Sequence, residues 1–160
     1  MAEDLMVSDS QDKEQKYKTL IPQLKSLIEG EVDLIANLGN ISAALKETFD
    51  FLWVGFYLVK GDQLVLGPFQ GPVACTRIEK GKGVCGTAWE QERTIIVEDV
   101  ETFPGHIACS SLSKSEIVIP VMSDGRVTMV LDVDAEHYKQ FNEVDSEYLN
   151  QIVDLLANNR

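Results

Sequence analysis

Hydrophobic residues recur at helical spacing near both ends of the chain. In the first such segment, residues 12–28, they form one face of an α-helix, and they are Tyr17, Leu20, Ile21, Leu24, Leu27 and Ile28. After Gly30 the pattern predicts a second helix, to about Lys46, and a last helix is predicted over about 142–157. Pro22 lies inside the first pattern, where it either kinks that helix or marks its true start.

Short apolar segments between these helices predict β-strands. They cover about residues 53–58, 64–66, 73–78, 94–97, 115–122 and 126–134, and a short helix is predicted near 84–90. Residues 98–113 have no sustained period and are expected to form a long loop, a kind that often carries function in compact domains. Successive strands between terminal helices favour an α+β fold with an antiparallel sheet. We expect residues 1–12 to be a flexible acidic N-terminus and 13–160 to be one domain.

The last two strands can pair in two ways. A two-residue turn would set Ile117 opposite Asp132 and mix polar with apolar residues on both faces. A three-residue loop over residues 123–125 sets Glu116 opposite Asp132, with Asp134 beside them, and leaves the other face almost wholly apolar. Because the hydrophobic pattern determines register, we expect the three-residue loop.

Three carboxylates on one patch of sheet repel one another unless a cation binds there or a proton is shared. The patch is therefore either a solvated face or a pocket that binds an amine or keeps one carboxyl protonated. On the first strand, Trp53 and Tyr57 share the face away from the core. They either pack under a helix or wall an apolar niche for a small ligand.

Composition and charge exclude several functional classes. Among the 160 residues, 26 acidic side chains against 14 basic ones give a net charge of −12, which disfavours nucleic acid as a partner. No apolar run approaches the roughly 20 residues of a membrane helix. The acidic start of the chain is not typical of a secretory signal. We therefore expect a cytoplasmic protein that has no contact with a membrane.

Three cysteines lie in the central part of the chain, at Cys75, Cys85 and Cys109. Three cysteines are too few for a secreted disulfide scaffold, and such scaffolds normally have an even number. In a reducing compartment a cysteine is often a small buried hydrophobe, but two of these are flanked by glycine-rich sequence. No Cys-x-x-Cys pair exists, so we expect no zinc site and no other metal.

A series of motifs surrounds these cysteines. In order they are Gly67-Pro68-Phe69-Gln70-Gly71 with Ala74-Cys75, Gly81-Lys82-Gly83-Val84-Cys85-Gly86-Thr87-Ala88, Gly105-His106-Ile107-Ala108-Cys109, Ser113-Lys114-Ser115-Glu116-Ile117-Val118-Ile119-Pro120 and Val130-Leu131-Asp132-Val133-Asp134. The series closely resembles the free methionine-(R)-sulfoxide reductases, which are single GAF domains. The resemblance extends from about Trp53 to Asp134 and includes all three cysteine positions.

This resemblance implies a GAF-like fold, with a six-stranded antiparallel sheet flanked by N- and C-terminal helices. It implies reduction of the R epimer of free methionine sulfoxide, without a metal or organic cofactor. By position, Cys109 is the nucleophile, Cys75 the resolving thiol and Cys85 an accessory or alternative redox cysteine. Two sets of residues are expected to bind the substrate: the walls of the methyl end, Trp53 and Tyr57, and the polar group, Glu116, Asp132 and Asp134.

The chemistry expected of these residues is consistent with the resemblance. A thiolate attacks the sulfoxide sulfur while a carboxyl group of raised pKa, on Glu116 or Asp134, protonates the oxygen. The resulting sulfenic acid condenses with a second cysteine to a disulfide, which a thioredoxin-like dithiol reduces. For this, loop 98–113 must let two cysteines approach to about 5.5–6 Å between Cα atoms.

The sequence also allows two other functions and two assembly states. A GAF-type sensor would bind a small ligand without turnover, because a fold does not fix a function. A purely structural or partner-binding domain would bury all three cysteines as inert side chains. The sequence is compatible with a homodimer and does not decide between one chain and two.

Overall fold

The structure is a computed structural model that describes residues 4–107 and 109–158. Residues 1–3, 108 and 159–160 lie outside the described residues; they belong to the predicted N-terminus, the predicted loop and the predicted end of the domain. The elements follow in chain order: α1 (Lys13–Ile28), α2 (Leu34–Phe49), β1 (Trp53–Lys60), β2 (Gln63–Gln70), β3 (Arg77–Glu79), α3 (Gly83–Gln91), β4 (Ile95–Val97), β5 (Ser115–Ser123), β6 (Arg126–Ala135) and α4 (Glu143–Asn158).

The six strands form one sheet in the order β3-β2-β1-β6-β5-β4. Every neighbouring pair is antiparallel, which confirms the predicted α+β class and the six-stranded sheet. Strand β1 lies beside β6 at the middle of the sheet, although the two strands are far apart in the sequence. Residues that are far apart along the chain therefore meet at the middle of the sheet.

Helix α1 begins at a capping box and continues through Pro22. The Asp12 side chain accepts a hydrogen bond from the Gln15 backbone N–H, and the Gln15 side chain accepts one from the Asp12 N–H. Pro22 is exposed inside the helix, so it neither starts nor ends the element. Ahead of the helix, Leu5 and Val7 pack against the core.

The two faces of the sheet carry separate hydrophobic clusters. Helices α1, α2 and α4 cover one face, where Val54 and Phe56 of β1 are fully buried. The other face carries Trp53 and Tyr57 and is covered by α3, which contributes the buried Cys85. The predicted division of β1 into a core face and an aromatic face is confirmed. The second face holds the candidate site.

The predicted three-residue loop between β5 and β6 is wrong. Ser123 pairs with Arg126 across a two-residue turn, in which Asp124 and Gly125 both have positive φ (55° and 78°), as a type I′ turn requires. A β-bulge then adds Thr128 to β6, between the partners of Val121 and Met122. The extra residue shifts the pairing by one position.

After the bulge, Glu116 pairs with Asp134, whereas the sequence predicted Asp132 as its partner. Asp132 pairs with Val118. A two-residue turn alone would have mixed apolar and polar residues on both faces of the hairpin. The bulge restores their separation onto opposite faces. Ile117, Ile119 and Leu131 therefore remain in the core cluster, and the three carboxylates share the opposite face as predicted.

Two connections differ from the predicted strands and loop. Strand β3 begins at Arg77, later than the predicted Val73, whose side chain is 88% exposed. Pro72 cannot donate a ladder hydrogen bond, and residues 71–76 cross the α3 face of the sheet instead. In the predicted loop 98–113, residues Val100–Thr102 form one turn of 3-10 helix. Among the described residues, no helix is long and apolar enough to cross a membrane.

Candidate functional site

Three carboxyl groups lie together on the α3 face of the sheet. Glu116 of β5 and Asp134 of β6 are direct cross-strand partners, and Asp132 lies two residues before Asp134 on the same face. Glu116 and Asp132 are buried and Asp134 is half-buried. Asp134 Oδ1 accepts a hydrogen bond from the Ser113 hydroxyl at 3.2 Å.

Burial and mutual repulsion change how these groups ionise. Desolvation, followed by the charge of Asp134, raises the pKa of Glu116 from 4.5 to about 8. Desolvation also raises the pKa of Asp132 and of Asp134 well above the usual aspartate range, and neighbouring carboxylates add to the effect. At neutral pH the cluster therefore retains protons, so it can donate a proton as well as bind a cationic group.

A histidine approaches the cluster from the loop before Cys109. His106 Nε2 lies 3.7 Å from Glu116 Oε1. Burial lowers the pKa of His106, so a neutral imidazole faces Glu116 at neutral pH. His106 was not among the predicted site residues, and its position three residues before Cys109 was the available signal of a role.

Two aromatic side chains of β1 form a wall beside the carboxylates. Trp53 and Tyr57 stack with their ring centroids 5.8 Å apart, and both are buried. Each also holds the segment 71–76, because Trp53 Nε1 donates to the Pro72 carbonyl at 3.0 Å and the Tyr57 hydroxyl donates to the Cys75 carbonyl at 2.8 Å. Burial, with Asp132 next in effect, raises the pKa of Tyr57, so the phenol stays neutral. The wall therefore also positions a cysteine.

Cys75 and Cys109 form a disulfide, with their Cα atoms 5.8 Å apart. The bond joins segment 71–76 to the loop that follows β4. These two connections share no helix or strand. Cys75 is half-buried and Cys109 is exposed. The arrangement contradicts the hypothesis of three inert, buried cysteines.

Cys85 is the remaining cysteine, and it is a buried free thiol on α3. Its sulfur and one oxygen each of Glu116 and Asp132 all lie within 4.8 Å of one another. Burial, then the charges of these carboxylates, raises the pKa of the Cys85 thiol. Cys85 is therefore protonated at neutral pH and is a poor nucleophile in this state.

These groups enclose one cavity of about 60 Å³. Seven of the eight predicted site residues line it, namely Trp53, Tyr57, Cys85, Cys109, Glu116, Asp132 and Asp134, and the eighth, Cys75, is joined to it by the disulfide. The other lining residues were not predicted as site residues, and they are Leu52, Pro72, Val73, Ala74, Ile78, Lys82, Gly83, Val84, His106, Ile107, Ser110 and Ser113. Most of them lie on connections, whose course no periodic pattern predicts.

A close backbone approach completes one wall. A Cβ atom on Gly83, which has φ +61°, would lie 3.0 Å from Ile107 Cδ1. Glycine therefore lets the loop before Cys109 pack directly on the start of α3. This contact brings the loop and Cys85 to the same cavity.

Comparison with known proteins places this geometry in a family. The sequence model of the GAF domain family matches residues 35–159. A protein of Escherichia coli named free methionine-R-sulfoxide reductase is 44% identical over 143 residues, which cover 89% of this chain and 87% of that protein. This chain belongs to the GAF domain family, in its free methionine-(R)-sulfoxide reductase branch.

Two further relatives of this GAF domain extend over almost its full length. GAF domain-containing protein A of Dictyostelium discoideum is 61% identical over 159 residues, covering 99% of this chain and 100% of the relative. The X-ray structure of free methionine-R-sulfoxide reductase from Neisseria meningitidis, in complex with its substrate, is 52% identical with a TM-score of 0.96. That alignment covers 99% of this chain and 95% of the other. The resemblance found in the sequence is thereby confirmed.

Proposed function

We propose that this GAF domain reduces free methionine-(R)-sulfoxide to methionine. Relatives at 40% and 44% identity, from Saccharomyces cerevisiae and Escherichia coli, carry the name of that activity, and the Neisseria meningitidis structure contains its substrate. The single observation that carries the proposal is the Cys75–Cys109 disulfide, whose Cys109 lines a cavity together with three carboxylates. A dithiol that can become a disulfide supplies the two electrons that sulfoxide reduction consumes.

In the first step, the Cys109 thiolate attacks the substrate sulfur. The Cys109 position supports this role, because its side chain is exposed and lines the same cavity as the carboxylates. Glu116, with a pKa of about 8, supplies the proton that the sulfoxide oxygen needs as its bond to sulfur breaks. The protonated oxygen transfers to Cys109 Sγ as the bond between Sγ and the substrate sulfur breaks, so Cys109 becomes a sulfenic acid and methionine leaves.

In the second step, the Cys75 thiol attacks the sulfenic sulfur of Cys109. The S–S bond forms, and the oxygen leaves as water with the thiol proton. A thioredoxin-like dithiol, as in a reducing cytoplasm, then returns both cysteines to thiols. The sum is one sulfoxide and two thiol hydrogens converted to methionine and water. Cys85 is an accessory redox cysteine, since Cys75 and not Cys85 is the partner of Cys109 in this structure.

The shape and charge of the cavity support a free amino acid as the substrate. Trp53 and Tyr57 offer an apolar wall for the S-methyl group, while ionised carboxylates among Asp132 and Asp134 attract the α-ammonium group. In a protein chain the methionine nitrogen is an uncharged amide with residues attached on both sides. A small, acidic cavity therefore favours the free amino acid over a protein-bound residue.

A sensor domain that binds without turnover is the competing hypothesis. It needs no dithiol, whereas here two cysteines from distant segments meet beside the carboxylates. The disulfide therefore favours the enzyme.

Incubation of the purified protein with dithiothreitol and each epimer of free methionine sulfoxide tests the proposal. We expect methionine from the R epimer and none from the S epimer. An N-acetylated, C-amidated methionine-(R)-sulfoxide is the matched control and should give no product. Binding of the R epimer with no methionine formed would favour the sensor instead.

A further inference from the structure

Three metal-binding side chains converge in the cavity from separate elements. They are the thiol of Cys85 on α3 and the carboxyl groups of Glu116 on β5 and Asp132 on β6. One donor atom from each lies within 4.8 Å of the other two, and all three residues are buried. The disulfide leaves Cys85 as a thiol, so this donor set is intact in the oxidised protein.

A second observation points to a missing ligand at the same place. Asp132 Oδ1 is buried without a hydrogen-bond partner among the described residues, although the residue is only 7% exposed and lines the cavity. An unsatisfied buried carboxylate oxygen is costly, so such atoms normally contact a donor, a water or a cation. His106 Nε2, 3.7 Å from Glu116 Oε1, provides a fourth donor.

We propose that this cavity binds one thiophilic divalent cation, with Zn²⁺ as the best match. One thiolate, one imidazole and two carboxylates are ligands of Zn²⁺, whereas Mg²⁺ and Ca²⁺ prefer sites made of oxygen alone. Ligand atoms at about 2.0–2.3 Å from tetrahedral Zn²⁺ lie roughly 3.5 Å apart. The donor atoms of Cys85, Glu116 and Asp132 therefore need shifts of only about 1 Å to close on the ion, and His106 must approach from its position beside Glu116.

Binding is a ligand exchange and involves no redox change. The S–H bond of Cys85 is replaced by a Zn–S bond, and the thiol proton passes to solvent. The inference does not depend on the proposed reductase activity. If that activity holds, the cation and the sulfoxide compete for Glu116 and Asp132 and exclude each other.

Titration of the oxidised protein with Co²⁺, followed by Zn²⁺, tests the proposal. Cys85 is then the only thiol, so a near-ultraviolet sulfur-to-cobalt charge-transfer band identifies it as a ligand. We expect the band to saturate at one Co²⁺ per chain and to disappear when Zn²⁺ displaces Co²⁺. X-ray absorption on the zinc-loaded protein should show one sulfur neighbour and otherwise nitrogen or oxygen.

Variants separate this site from adventitious surface binding. Cys85→Ser should abolish the charge-transfer band, and Asp132→Asn should weaken binding by at least about tenfold. Asp62→Asn, the same change at an exposed aspartate in the β1–β2 turn, should leave binding unchanged. Far-ultraviolet circular dichroism checks that each variant is folded.

Three results would overturn the proposal: no saturable binding, a band that persists in folded Cys85→Ser, or zinc without a sulfur neighbour. A competition experiment links the cation site to the proposed function. In pre-reduced protein freed of reductant, Zn²⁺ should slow methionine release, and more sulfoxide should restore it. Binding without inhibition would place the cation outside the substrate's path and remove the proposed competition, while the reductase proposal would stand.

Discussion

Glu116 is protonated at neutral pH, where an exposed glutamate is ionised. Its cross-strand partner is Asp134, and the two cannot both ionise at low cost in a buried site. The chain thus keeps a carboxylic acid in the cavity that Cys109 also lines. The proposed chemistry depends on this acid and on the two cysteines of the disulfide.

Substitutions of the two cysteines are expected to affect methionine formation differently. Cys109→Ser should abolish methionine formation, because a serine hydroxyl is not a comparable nucleophile at neutral pH. Cys75→Ser should release one methionine per chain and then stall, because no thiol is placed to resolve the sulfenic acid. Quantifying methionine per chain distinguishes the two. With a reductant present, multiple turnovers by Cys75→Ser that are lost when Cys85 is also replaced by serine would transfer the resolving role to Cys85.

Glu116 should give the stability of the protein a particular pH dependence. Below pH 4.5 it is protonated in both states and contributes nothing; from there to about pH 8 only the unfolded state ionises, so stability falls. The loss is at most about 1.4 kcal/mol per pH unit. Glu116→Gln removes this titration.

Denaturant melts at pH 5 and pH 8 test this expectation. The free energy of unfolding of Glu116→Gln should exceed that of the wild type, by a margin that grows from pH 5 to pH 8. The same variant should lose about 100-fold or more in methionine formation, since an amide donates no proton. Glu101→Gln, an exposed control, should change neither quantity. A margin that stays constant between the two pH values would show that Glu116 titrates normally, and a margin that shrinks would show a lowered pKa; either result would contradict the expectation.

Among the elements, the β5–β6 hairpin illustrates how far the sequence can predict the site. Alternating apolar positions correctly predicted that Glu116, Asp132 and Asp134 share a face. They could not tell a three-residue loop from a two-residue turn plus a bulge at Thr128, because both preserve the alternation. The faces were therefore predictable, and the pairing of Glu116 with Asp134 was not.

The connections were less predictable than the strands. Residues 71–76 are held by Trp53 and Tyr57, which donate hydrogen bonds to the carbonyls of Pro72 and Cys75 across a long sequence separation. The pairing of Cys75 with Cys109 was expected only from the family resemblance. Local patterns contain no information about such long-range contacts, and so His106 and the rest of the lining were missed.

Helix α1 offers a test of how an exposed interior proline affects this fold. Pro22 supplies no N–H for a hydrogen bond to the carbonyl four residues earlier. We expect Pro22→Ala to raise the free energy of unfolding by about 1–3 kcal/mol. The control Ser26→Ala, at an exposed position of the same helix, should change it by less than about 0.5 kcal/mol. Equal effects of the two variants would contradict the expectation.

For the whole molecule, the disulfide couples redox state to stability. It joins residues 34 apart in sequence and connects two segments that enclose the cavity. Constraining a loop of that length in the unfolded chain is worth about 3–4 kcal/mol. The oxidised protein should therefore be more stable than the reduced one.

Chemical denaturation with and without dithiothreitol checks this difference. We expect the reductant to lower the free energy of unfolding by about 3–4 kcal/mol in the wild type. Cys75→Ser, which cannot form the bond, should be insensitive to the reductant. A wild-type protein equally stable in both redox states would contradict the expected stabilisation by the disulfide.

A single turnover tests most directly whether the Cys75–Cys109 bond is a product of sulfoxide reduction. The protein is reduced, freed of reductant and given one equivalent of free methionine-(R)-sulfoxide; methionine is then counted and disulfides are mapped by peptide mass. The account predicts one methionine per chain together with a new Cys75–Cys109 bond. Methionine formed while both cysteines stay reduced, or a disulfide formed without methionine, would contradict it.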